Sequence, residues 1–257
     1  MDDAYAPLLL WLLVGHLVAD FPLQPFSWVQ DKTQRRARSR LLLLHALIHG
    51  VVAAAVIAVF SGLHGAVSAG GVWISLLFIS ISHYLIDLIK VTLLAQRNNT
   101  SRFLLDQGLH LLMLVALWLF ITPNTGTLAT MMWQHVTGWQ YGLLALAYLL
   151  IYMPMGILIG HYLARWTPQM PHAAKADNDS LLRAGKQIGY LERTLILTFV
   201  LIGQIPAIGF LLAAKSIFRF GDLRHNEDKM RTEYVMLGTL FSFTLTIMLG
   251  LLIKALW

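Results

Sequence analysis

Four pairs of ionisable residues stand four apart inside otherwise apolar stretches: His16 with Asp20, His45 with His49, His83 with Asp87, and Asp106 with His110. That spacing puts both members of a pair on one helix face about one turn apart, where they can bind one metal ion or flank two. Such groups are costly inside a membrane segment and usually functional there. Taken singly, a His or Asp near a helix end caps, snorkels or hydrogen-bonds, and Asp20 or Asp106 can simply pair with a neighbouring Arg or Lys. Four aligned pairs point instead to a metal centre of five imidazoles and three carboxylates, all eight residues being candidate ligands. The non-metal alternative is a proton or ion relay built from the same groups. Imidazole with hard carboxylate suits zinc, manganese or iron, with zinc favoured for hydrolysis. The chain has no cysteine, which removes thiolate sites, iron–sulfur clusters and a cysteine nucleophile.

The elements that must position these pairs follow from composition. Of the 257 residues, 57% are hydrophobic and 12% charged, against about 25% charged in soluble domains. So few charges cannot coat a soluble core, and the surface must face lipid. The expected fold is an all-α polytopic membrane helical bundle. A net charge of +6 would implicate nucleic acid only on a basic face of a soluble fold, so the expected partners are membrane lipids, not nucleic acid.

Apolar runs cover roughly 7–21, 41–61, 71–95, 103–122, 138–164, 191–214 and 232–256, against roughly 20 residues needed to cross a bilayer. The first lacks a positive leader and a small-residue cleavage site, so it is expected to stay in the mature protein. It is short, and Pro22 and Pro25 end it.

Charge sorts the connections. Lys32, Arg35, Arg36, Arg38 and Arg40 follow the first run, whereas 62–70 and 123–137 hold no Lys or Arg. Basic connections belong in the cytoplasm. This alternation breaks after 191–214, where Lys215, Arg219, Arg224, Lys229 and Arg231 follow. Gly203-Gln204-Ile205-Pro206 interrupts that run near its middle, and a re-entrant hairpin restores the pattern. The expectation is about six crossings plus one re-entrant hairpin in a bacterial inner membrane, N-terminus outside, with 18 of the 19 Lys and Arg cytoplasmic and Lys254 alone outside. In domains, 1–122 is a four-helix bundle carrying the site, 123–165 a loop and fifth crossing, 166–190 a polar cytoplasmic linker, and 191–257 the hairpin and last crossing. Each pair then lies at the cytoplasmic end of its helix, so four helices present the eight groups at one level, in the manner of dimetal carboxylate bundles.

Around the pairs the chain reads His16-Leu-Val-Ala-Asp20-Phe21-Pro-Leu-Gln24, Ser82-His83-Tyr-Leu-Ile-Asp87-Leu-Ile-Lys90 and Asp106-Gln107-Gly-Leu-His110. These elements resemble the bacterial membrane proteins of the domain of unknown function 3307 family. The resemblance extends through Glu192-Arg193-Thr194, Gly209-Phe210-Leu-Leu-Ala-Ala-Lys215-Ser216 with Arg219-Phe220, and Glu233-Tyr234. It implies a membrane protein and assigns no activity.

Lys90 lies one turn from Asp87 and is expected to pair with it as a snorkelling lysine or, more sharply, to contact a phosphate. Gln24 and Gln107 can donate to a substrate oxygen or orient ligating carboxylates. Lys215 and Arg219, with Glu192, Arg193, Arg231 and Glu233, are expected to clamp the hairpin to the last helix through ion pairs, or else to bind an anionic head group. The function expected is an intramembrane dimetal hydrolase opening to the cytoplasm and acting on a phosphate-bearing lipid or similar amphiphile. Asp20, Asp87 or Asp106 would take a proton and Lys90 would assist. The alternatives are a divalent-cation or proton transporter, gated at the broken segment, and a dimetal membrane oxidase.

Overall fold

The computed structural model describes residues 5–64, 67–122, 139–164, 178–217 and 226–257. These residues are helical, without a strand: α1 Tyr5–Asp20, α2 Phe26–Arg35, a 3₁₀ turn Arg36–Arg38, α3 Arg40–His64, α4 Ala69–Thr92, α5 Asn99–Ile121, α6 Trp139–Leu163, α7 Asn178–Leu201, α8 Ile205–Ile217 and α9 Asn226–Leu256. Five of them carry stretches long and apolar enough to cross a membrane, Arg40–Leu63, Ala69–Thr92, Asn99–Ile121, Trp139–Leu163 and Glu233–Leu256. The protein is thus a polytopic membrane helical bundle. The expected first crossing is α1, whose 16 residues span about 24 Å at about 1.5 Å per residue, short of the roughly 30 Å hydrocarbon core.

The chain forms two compact units, Met1–Leu146 and Ala147–Trp257. Their boundary falls inside α6 rather than in the polar stretch 166–190, of which residues 178–190 are helical and run on into the apolar part of α7.

In the first unit one rule builds both core and site. Every fourth residue of α1, α3 and α4 points inward: Leu8, Leu12, His16 and Asp20; His45, His49, Ala53 and Ile57; Ser75, Ile79, His83 and Asp87, all buried. On α5 the same stripe runs Asp106, His110, Leu114 and Trp118. Residues four apart share a helix face, so each helix offers the bundle one stripe with an apolar half and an ionisable half. The apolar halves close a core of Leu8, Leu12, Ala53, Ile57, Phe60, Ile79, Leu114, Leu117 and Trp118. Large residues on the other faces stay exposed, among them Leu43, Leu47, Val51, Leu77, Ile81, Leu104 and Leu112, as a lipid-facing surface requires. Helix starts are capped locally: Ser68 accepts from Gly71 N at 3.2 Å and Asn98 from Ser101 N at 2.7 Å.

At Gly50 α3 lies close against α4. A Cβ there would stand 2.0 Å from Ser80 Oγ and 2.6 Å from the Leu76 carbonyl oxygen, so only glycine lets the helices meet. Gly50 follows His49, and Ser80 lies one turn before His83, so this contact sets the site's spacing.

The basic connection after α1 is not a plain loop. It holds α2, whose inner face carries Trp28, Val29 and Lys32, and the 3₁₀ turn. Ser39 Oγ donates to Asp31 Oδ2 at 2.5 Å and accepts from Leu42 N at 3.0 Å, which ties α2 to the start of α3.

In the second unit α7 ends at a Schellman turn. Gln204 N donates to Phe199 O at 2.7 Å and Gly203 N to Val200 O at 3.1 Å, with Gly203 at φ +76°, the left-handed conformation this motif needs. The chain then reverses, packing Ile196 and Val200 against Ile208 and Phe243. Lys215 closes the open end of this helical hairpin on Glu192 at 2.6 Å. The expected clamp runs from the hairpin to the last helix, whereas this pair ties α7 to α8 within the hairpin and Arg193 goes elsewhere. Its Nε donates to the Ile151 carbonyl at 2.5 Å and its guanidinium lies 5.2 Å from the Tyr190 ring centre. Pro154, three residues after Ile151 inside α6, has no backbone N–H to donate. Arg219 and the side chain of Arg231 lie outside the described residues.

Candidate metal centre

All eight paired residues meet at one place in the first unit, each at most 8% exposed. The five imidazoles form a continuous cluster. The His49 and His83 rings stack at 3.5 Å between centres with 19° between planes, His83 lies 4.2 Å from His110, His45 4.6 Å from His49, and His16 5.0 Å from His49.

Among them stand the three carboxylates, each held differently. Asp20 Oδ1 lies 3.3 Å from His45 Nε2 and 3.9 Å from His49 Nε2, while its Oδ2 accepts from Gln107 Nε2 at 2.8 Å. Asp87 Oδ2 accepts from Lys32 Nζ at 2.6 Å, with His83 Nε2 at 3.8 Å and His45 Nε2 at 3.9 Å. Asp106 Oδ2 accepts from Lys90 Nζ at 2.5 Å and from Gln107 Nε2 at 3.2 Å. His110 Nδ1 lies 2.9 Å from the Asp106 carbonyl oxygen. Donating there puts the proton on Nδ1 and leaves Nε2 as a lone pair aimed into the cluster.

Lys90 therefore does not pair with Asp87, its neighbour one turn back. The Asp87 stripe points to the bundle axis, where Lys32 enters from α2, while Lys90 reaches across to the start of α5. Lys32, only 2% exposed, belongs to the site although its place among Arg35, Arg36, Arg38 and Arg40 marks it as a loop cation. Its signal was register: it shares the apolar face of α2 with Trp28 and Val29. Gln107 holds two of the carboxylates, the orienting role of the two open to it. Gln24 is half-buried, its Nε2 without a hydrogen-bond partner. Lys215 belongs to the second unit, and Arg219 lies outside the described residues.

The donor set fits a metal ion. Nε2 of His16, His49, His83 and His110 and Oδ1 of Asp87 and Asp106 are buried without a hydrogen-bond partner, and buried polar atoms are rarely left so. Two groups have mutually close ligand atoms, all within 4.8 Å of one another in each: Asp20, His45, His49 and His83, and His83, Asp87 and His110. Nitrogen and carboxylate ligands in such number suit a borderline divalent ion.

Fold and site together define a polytopic helical membrane protein with a buried His/Asp cluster inside its first unit. The chain belongs to the family described as "Protein of unknown function (DUF3307)", whose model matches residues 8–137. That match contains all eight paired residues with Lys32, Lys90 and Gln107, whereas the motifs around Glu192, Lys215 and Glu233 lie beyond it. No curated protein and no solved structure matches the chain.

Proposed function

We propose that the protein is a metal-dependent membrane hydrolase acting on a phosphate-bearing lipid or similar amphiphile at the cytoplasmic face of a bacterial inner membrane. The carrying observation is the set of six buried imidazole and carboxylate atoms without hydrogen-bond partners on four helices. Asp20, His45, His49 and His83 would hold the ion, zinc being the best match to this donor set. Bound there, a divalent ion supplies Lewis acidity toward a phosphoryl oxygen and acidifies a water. Gln107 fixes Asp20 and Asp106 in position. Asp106, its Oδ2 already held by Lys90 and Gln107, receives the attacking water's proton at Oδ1. Lys90, whose side chain is 25% exposed, is the site cation nearest the surface and meets the phosphate.

One observation favours an enzyme over a cation path. Ammonium groups sit on two of the three carboxylates, which opposes passage of a second cation.

The test uses purified protein reconstituted with phospholipids and polyprenyl phosphates, following phosphate and head-group release beside metal flux into sealed vesicles. Wild type should release phosphate or head group and His49→Ala should lose both metal and turnover, at least 100-fold, since a site missing one ligand no longer fixes the ion. Absence of hydrolysis on every lipid, with a metal flux that His49→Ala removes, would establish the transporter instead.

A further inference from the structure

The cluster has ligand atoms enough for two ions, in groups that share His83. We infer that it takes only one, and that the ammonium of Lys32 permanently fills the place of the second. The inference rests on the metal-centre reading above.

Position argues it first. The group of His83, Asp87 and His110 depends on a single carboxylate, whose Oδ2, 3.8 Å from His83 Nε2 and 3.9 Å from His45 Nε2, is held by Lys32 at 2.6 Å, which leaves only its Oδ1 to an ion. A second ion drawn to that carboxylate would stand against an ammonium that has nowhere to withdraw, since the Lys32 side chain is 3% exposed and enters from a helix tied down through Asp31 and Ser39. The Asp20 group has no such occupant. Asp20 Oδ1 faces His45 and His49, and the partner of its Oδ2 is the neutral amide of Gln107.

Charge argues it independently. Asp20, Asp87 and Asp106 bring three negative charges, and Lys32 and Lys90 two positive. With neutral imidazoles the cluster carries one net negative charge. One divalent ion leaves a single positive charge, which a bound anion offsets. Two would leave three positive charges buried in a region of low dielectric, where uncompensated charge is strongly disfavoured. Lys32 is thus a built-in cation that sets the stoichiometry.

The experiment counts zinc per chain by elemental analysis, on detergent-purified protein equilibrated with zinc and freed of loosely held ion. Wild type should hold one zinc and Lys32→Met two. Two in wild type would overturn the single-ion inference while leaving the metal centre intact. None in wild type would remove the metal centre itself. One zinc in a folded Lys32→Met would show that Lys32 holds no cation place. Should Lys32→Met not fold, with Asp87 left buried and unpaired, the double variant Lys32→Met/Asp87→Asn decides. It deletes a neutral pair, so it should hold one zinc with affinity within about 3-fold of wild type, a change of roughly 0.65 kcal/mol. Loss of zinc there would show that Asp87 ligates the ion, and two ions would show that the second place does not depend on the carboxylate Lys32 holds; either result would overturn the inference.

Discussion

At the scale of single residues, the site separates groups that would touch an ion from groups that hold them. Gln107 is the clearest of the latter, because one amide nitrogen donates to both Asp20 and Asp106. Outer partners of this kind typically contribute 10–100-fold in metal affinity. Gln107→Leu should therefore weaken zinc binding by about that factor, measured by titrating metal-free protein against a competing chelator. Gln24→Leu is the contrast, for the Gln24 amide nitrogen has no hydrogen-bond partner, and its zinc affinity should stay within about 3-fold of wild type. Equal losses in both variants would mean that Gln107 acts through general packing and not through the carboxylates.

Between elements, the site depends on how closely α3 and α4 meet. Gly50→Ala places a methyl against the Leu76 carbonyl oxygen and Ser80, and a main-chain atom cannot swing aside as a long side chain can. The helices must separate, at a cost of about 1–3 kcal/mol typical of overpacking, and the His49 and His83 rings separate with them. Lowered thermal stability together with weaker zinc binding is the expected result. Gly108→Ala on α5, where a Cβ meets nothing within 4 Å, should leave both unchanged. The comparison also marks what a sequence can disclose. The i, i+4 pairs were legible because a fixed helical period turns spacing into a shared face, and His16, His45, His83 and Asp106 needed no tertiary information to be found. The partners of Asp87 and Asp106 were not, because Lys32 and Lys90 reach them from other helices and local spacing names only the nearest neighbour. Gly50 looks like any glycine in a membrane helix until the opposing main chain is known. α2 was hidden inside a basic connection, where its charges advertise topology and its short apolar face is easily passed over.

For the molecule as a whole, the remaining question is which ends of the helices share a side of the membrane. The first-unit pairs all lie toward the α2 end of the bundle, opposite the connection near Gly70. We propose, from the basic residues around α2 and the α4–α5 turn, that this end faces the cytoplasm. In the second unit the hairpin answers the break in charge alternation. Glu192 and Lys215 lie 2.6 Å apart although 23 positions separate them, so the two open ends of α7 and α8 emerge together. Lys215 then shares a side with Glu192, whether or not the hairpin reaches across the bilayer. A chain without cysteine permits a direct test, with single cysteines at Gln34, Gln96, Ile217 and Gly70 and a membrane-impermeant maleimide applied to intact and then opened cells. Gln34→Cys, Gln96→Cys and Ile217→Cys should react only after opening, and Gly70→Cys before it. Reaction at residue 217 in intact cells would place the far end of α8 outside. That would break the charge rule in the second unit, since the Glu192–Lys215 pair would carry the basic residues after it to the outside as well.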